Sequence, residues 1–254
     1  MPQFLVRPED LAGDRFRLDG PEAFHVSRVL RRKVGDAIEL FDGRGGRYAG
    51  VIRSISADGV IEGDVTGKAH APRRAYPVEL RLYLSLLKSS QWEWAIEKAA
   101  ELGASAIVPT VTPRTVVQLR ELTPAKAERW GKILQGAAKQ CGRADVPALA
   151  QPQHYRDAIV GASKDGVALV AWEKHAGAST YAGLREVLRE ARAKSPQGLK
   201  VNVFIGPEGG FSDEEIELAE CEGAALFSLG PTTLRAETAA VAACTVVLYE
   251  LGAA

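Results

Sequence analysis

The sequence predicts an α/β protein in two parts: a small β-barrel, then a mostly parallel sheet with helices on both faces. Three observations carry this. Up to about residue 70 the chain reads as short alternating strands broken by tight turns. Residues 69–77 form a charged, proline-bounded stretch without apolar period, as in a linker. Beyond it, apolar runs alternate with helical stretches, the pattern of a parallel sheet covered on both sides. The parts are residues 1–71 and 72–254.

In chain order, a helix is expected over 21–30, with Pro21 near its start after Asp19 or Gly20. Residues 34–41 alternate into the turn dipeptide Asp42-Gly43, residues 47–55 alternate again, and Asp58-Gly59 leads into 60–65. In the second part, the runs 80–87, 106–111, 167–172, 201–205 and 225–229 are the strands. Ser90 with Glu93 suggests a capping box for a helix ending at Gly103, Thr123-Pro124 opens another, and Ser212 with Glu215 caps a third. The last helix, 239–251, is apolar almost all round and belongs in the core or in a subunit interface.

With 46% hydrophobic and 25% charged residues among 254, the composition is that of an ordinary globular protein. Disorder, collagen-like repeats and a disulfide scaffold are excluded. The longest nearly uncharged apolar stretch, 238–249, falls short of the ~18 residues of a spanning helix. Arg7, Glu9 and Asp10 arrive before a signal-peptide core could form. A soluble, cytoplasmic protein with no membrane partner is expected. Cys141, Cys221 and Cys244 form no CxxC pair, and His25, His70, His154 and His175 lie far apart, so no metal site is expected.

The 32 basic and 32 acidic residues are unevenly placed: residues 201–254 carry a net −8, leaving +8 for residues 1–200. Arg28, Arg31 and Arg32, three and four apart, would share a helix face suited to phosphates. A solvated helix end would look the same. Residues 114–143 repeat the signal with seven basic residues against Glu121 and Glu128. Two basic segments in two parts favour nucleic acid as partner.

The sharpest local signal is the run 204–212, FIGPEGGFS: an apolar strand, a Gly/Pro loop, then a capped helix. Ligands bind in the crevice beyond the carboxyl ends of parallel strands. A structural turn fits the bare pattern equally well, and neither GxGxxG nor GxxxxGK[ST] is present. Residues 229–238, LGPTTLRAET, repeat the arrangement around Arg235, the only basic residue among the last 54. Arg235 either pairs with Glu237 or Glu208 or meets an anion of a ligand.

At these residues the chain resembles the RsmE-type 16S rRNA (uracil-N3) methyltransferases of the SPOUT superfamily. The matching stretches are HVSRVLR (25–31), EKAAELGASAIVP (97–109), QCGR (140–143) with Val146-Pro147, IGPEGG (205–210) and LGPTTLRAET (229–238). Lys139 stands where the family often has Glu, and Thr232 where an Arg is common. The resemblance implies a PUA-like barrel that docks RNA and an α/β domain tied in a deep trefoil knot, an exception to the rule against threading. It implies a homodimer that binds S-adenosylmethionine through Ile205, Gly206, Pro207, Glu208, Gly209, Gly210, Ser228, Leu229, Gly230 and Leu234, with Ala171 or its neighbours on the preceding strand contributing. The acceptor it implies is a decoding-region uridine of 16S rRNA, within the 30S subunit. Arg235 would stabilise the ionised uracil, and Glu237 or Glu208 would accept its proton unless they cap a helix or pair with Arg235. Arg28, Arg31, Arg32 and Arg143 would hold RNA phosphates. Another RNA target, a non-catalytic assembly factor and a dinucleotide enzyme are the competing readings.

Overall fold

The computed structural model describes residues 2–70, 77–173 and 180–253. Contacts divide the chain into two compact units, residues 1–72 with 135–146, and residues 73–134 with 147–254.

The first unit contains β1 (Gln3–Leu5), β2 (Leu11–Ala12), β3 (Arg15–Leu18), α1 (Gly20–Phe24), β4 (Ala37–Phe41), β5 (Gly46–Ile55) and β6 (Ile61–His70). Its strands are ordered β1-β4-β5-β6-β3-β2. The three expected runs are β4, β5 and β6, an antiparallel ladder. The strands β1 to β3 are too short for an alternating pattern to announce them. Ala69 and His70 close β6 rather than open a linker, and residues 71–76 lie outside the described residues. Phe4, Phe16, Leu18, Leu40, Ile52 and Ile61 fill the core.

The chain is helical from Gly20 to Val29, close to the expected 21–30, but the second half is not an α-helix. After α1 the chain makes a π-helical turn, His25–Val29, in which the Leu30 amide donates to the His25 carbonyl at 2.9 Å. Arg31 is then left-handed, with φ 54°, the only described non-glycine residue at positive φ. Arg28 therefore lies on the π turn, while Arg31 and Arg32 lie beyond the helix, and no single helical face carries all three. The chain must reverse into β4 here, and Asp36 Oδ2 fixes that reversal by accepting from the Lys33 amide at 2.9 Å.

Residues 135–146 complete this unit. Phe41, Ala138 and Ala144 pack with Leu5 and Val146. Gln3 Nε2 donates to the carbonyls of Ala138 at 3.2 Å and Arg143 at 2.7 Å, and Arg47 donates to that of Gly142.

The second unit contains β7 (Val78–Ser85), α2 (Ser89–Leu102), β8 (Ala106–Val111), the start of α3 (Pro124–Cys141), β9 (Ala148–Leu149), β10 (Gln153–His154), α4 (Tyr155–Asp165), β11 (Val167–Ala171), α5 (Thr180–Lys194), β12 (Leu199–Ile205), α6 (Asp213–Cys221), β13 (Ala225–Phe227) and α7 (Ala236–Glu250). Its sheet is parallel in every described pair, in the order β10-β8-β7-β12-β11-β13, with β9 beside β8. Side chains alternate across it. Tyr83 and Phe204 stack at 4.3 Å and meet Tyr155 of α4 and Ile216 of α6 in one core. The helices α2 and α7 pack together, and α7 packs on β7 and β12.

Two caps behave differently. Ser212 and Glu215 form the expected reciprocal box at α6. At α2 the cap position is Lys88, Ser90 lies inside the first turn, and Glu93 pairs with Arg129 at 2.8 Å instead. That helix does end at Gly103, with φ 108°. The helix α7 buries Ala240, Ala243, Cys244, Val247 and Leu248 but leaves Thr238, Thr245 and Tyr249 exposed. Burial pushes the Cys244 thiol up to about 12, so it is inert packing. Among the described residues no helix is long and apolar enough to cross a membrane, and no cluster of side chains could hold a metal.

Candidate active site

Because β12, β11 and β13 are parallel neighbours, the loops at their carboxyl ends open on one edge of the sheet. They enclose a cavity of about 570 Å³, within the 300–1,000 Å³ usual for small-molecule sites. The loop after β12 turns tightly, the Gly210 amide donating to the Pro207 carbonyl at 2.9 Å. The Ser212 box then fixes where α6 begins. The loop after β13 is held by Ser228, whose hydroxyl donates to the Gly230 carbonyl at 3.0 Å and accepts from the Gly230 amide at 3.3 Å. It delivers Arg235 at the N-cap of α7 and Glu237 in the first turn.

All eleven residues that the resemblance implies for the cofactor line this cavity, as do Arg235 and Glu237. The two proposed roles of Arg235 separate here: among the described residues it forms no ion pair with Glu237 or Glu208, and its side chain forms no cap. Sequence reasoning pointed to Ala171 or its neighbours without naming Trp172 and Glu173, which follow β11, and it missed Gln91, which α2 contributes. The first two were within reach, since the crevice rule applies to the end of β11 as much as to that of β12. Gln91 carries no local signal. Among the described residues that line it, the carboxylates Glu173, Glu208 and Glu237 stand against one cation, Arg235, so this described lining is net negative.

The basic residues sort differently. Arg28 and Arg31 are exposed in the first unit, and Arg32 is half-buried. Arg143 belongs to that unit too, but its guanidinium is 13% exposed and bonds Asp145 at 2.5 Å. In the basic run 114–143, Arg129 pairs with Glu93, Lys132 with Glu128 and Lys139 with Glu22, while Lys126 lies over the Trp130 ring. Paired charges release few counterions, so these pairs weaken the contribution of the run to phosphate binding.

Residues 74–248 match the RNA methyltransferase domain model, and residues 18–61 match the PUA domain of RNA methyltransferases. The chain belongs to the RNA methyltransferase family. Among its relatives is the ribosomal RNA small subunit methyltransferase E of Bacillus subtilis, 28% identical over 92% of this chain and 90% of that protein. The ribosomal RNA small subunit methyltransferase E of Neisseria gonorrhoeae, bound to S-adenosyl methionine, superimposes with a TM-score of 0.79 at 26% identity, over 98% of this chain and 97% of that one. A putative methyltransferase of Legionella pneumophila in complex with the same cofactor has a TM-score of 0.77 at 28% identity, over the same shares. The family is thus one of enzymes, with a PUA-like first unit and a parallel α/β second unit.

Proposed function

We propose that the protein transfers a methyl group from S-adenosylmethionine to N3 of a decoding-region uridine in 16S rRNA. One observation carries this: thirteen positions picked out by resemblance gather around one cavity, its described lining net negative, whose counterpart loops belong to cofactor-binding relatives. The cavity suits that cofactor. Gly206, Gly209 and Gly210 let a flat ring approach the backbone, and the excess of carboxylates favours a sulfonium cation.

When bound, S-adenosylmethionine supplies a methyl group already activated for displacement, and no metal is needed. The loops orient the reactants in line. Uracil N3 must lose its imide proton, and the charge spreads onto O2 and O4. Arg235, a permanent cation at the cavity, stabilises that anion. Glu237 accepts the proton, with Glu208 as the alternative on the same cavity. N3 is hidden in a base pair, so the uridine reacts unpaired or turned out of its helix.

In the first unit, Arg28, Arg31 and Arg32 hold neighbouring phosphates, and Arg143 adds a charge shared with Asp145. The protein works in the cytoplasm as a homodimer on 30S particles, with the chain of its second unit knotted. Tyr249, 73% exposed, with Thr245 and Thr238 on the outer side of α7, supports a subunit interface there.

Labelled S-adenosylmethionine and undermethylated 30S subunits test the reaction. The expected product is 3-methyluridine at the decoding-region site. Label in 23S rRNA or tRNA alone would overturn the acceptor, and absence of cofactor binding would overturn the reading of the cavity.

A further inference from the structure

Arg114, in the loop after β8, counts among the cations of the basic run 114–143, yet its surroundings assign it to the second unit's glycine loop. Thr112 and Thr115, 3% and 4% exposed, close a buried turn. The Thr112 amide donates to Thr115 Oγ1 at 3.0 Å, the Thr115 amide to the Thr112 carbonyl at 3.1 Å, and the two hydroxyls lie 3.1 Å apart. The Arg114 amide donates to Thr112 Oγ1 at 3.2 Å. From this locked turn the Arg114 guanidinium reaches loop 206–211, where Nη1 donates to the carbonyls of Gly209 at 3.1 Å and Phe211 at 3.0 Å. The two segments are packed close, since a β-carbon at Gly209 would lie in van der Waals contact with Arg114 Cβ at 3.4 Å.

We infer that Arg114 is a positioning residue that holds the glycine loop in its ligand-ready shape from outside the cavity. This rests on the cofactor reading above. A loop with three glycines in five residues loses much conformational freedom when it orders. A charged donor shared between two of its carbonyls removes part of that cost before the ligand arrives. Arg114 does not line the cavity, so its effect falls on cofactor affinity and not on the methyl-transfer step. The guanidinium is also thereby withdrawn from any role on RNA phosphates.

The full chain carrying Arg114→Met or Arg114→Lys tests this with three readouts: calorimetric titration with S-adenosylmethionine, steady-state rates, and hydrogen exchange of the 206–211 segment. Arg114→Met is expected to weaken cofactor binding about tenfold. The KM for cofactor should rise in step, while kcat at saturating cofactor stays within about twofold. Exchange in 206–211 should quicken without cofactor and return to the wild-type rate at saturation. Arg114→Lys should recover part of the affinity, because an ammonium is a single point donor on a flexible stem. Wild-type affinity and exchange in Arg114→Met would overturn the inference. So would weaker RNA binding with a shallower salt dependence and unchanged cofactor affinity, which would make Arg114 a phosphate ligand. If Arg114→Met does not fold, exchange in Arg114→Lys decides. If the wild-type protein binds no S-adenosylmethionine, the cofactor reading fails, and the exchange comparison still settles whether Arg114 holds the loop.

Discussion

The Glu173 carboxylate occupies the space that a side chain on Gly210 would need: a β-carbon built there would stand 2.9 Å from Glu173 Oε1. The exposed Glu173 side chain can swing away, but Gly210 also has φ 67°, and that backbone conformation disfavours any other residue. Gly210→Ala should destabilise the protein by more than about 1 kcal/mol and weaken cofactor binding. Adding Glu173→Ala should restore little of the loss, because the backbone strain remains. Urea unfolding of both variants checks this, and full restoration would remove the strain from the account.

Arg235 forms no ion pair among the described residues and stands at the cavity, where a cation can act on developing negative charge. Arg235→Ala should lower turnover on the order of 100-fold while cofactor affinity changes little. Single-turnover rates and calorimetry separate the two effects, and near-wild-type turnover would remove Arg235 from the mechanism.

Arg31 and Arg32 lie past the end of the π turn, and neither forms an ion pair among the described residues. Reversing both to Glu should weaken RNA binding and flatten its salt dependence by roughly one unit of slope per residue. Binding isotherms across a salt series measure that slope. An unchanged slope would mean that this end of the first unit is only solvated.

Burial raises the Glu215 carboxyl above its ordinary value of 4.5, against the opposing pull of the Ser212 amide and the Arg114 charge. A carboxyl raised on folding stabilises the fold fully below its unfolded value, and that contribution is lost as pH rises through the folded value. The wild type should therefore lose stability relative to Glu215→Gln as pH climbs from about 4.5 toward neutrality. Glutamine keeps the capping box, so helix α6 itself is not at issue. Parallel denaturation profiles for the two proteins across that window would refute the assignment.

The central strands were legible because strands buried on both faces read as continuous apolar runs, as in Leu199–Ile205. The box at Ser212 was legible because both of its partners lie within four residues. The apparent box at Ser90 failed although its spacing was correct, because Lys88 takes the cap position and Arg129 claims Glu93. Nor does any periodicity report Arg31, whose left-handed backbone answers to a chain reversal. Around the cavity, motifs near strand ends were readable, whereas Gln91 of α2 reaches it through tertiary packing alone.

The first unit borrows Ala138, Ala144 and the carbonyl partners of Gln3 from residues 135–146. Its order of synthesis therefore differs from its order of completion. When the ribosome finishes residue 72, Gln3 and Phe41 still lack their partners, and 74 more residues must be made before Val146 exists. At ~5–20 residues per second, that leaves a nascent intermediate with an open apolar seam for roughly 4–15 seconds. A fragment ending near residue 72 would hold that seam open permanently. Chaperone capture during translation and aggregation of such a fragment are two faces of the same unfinished core.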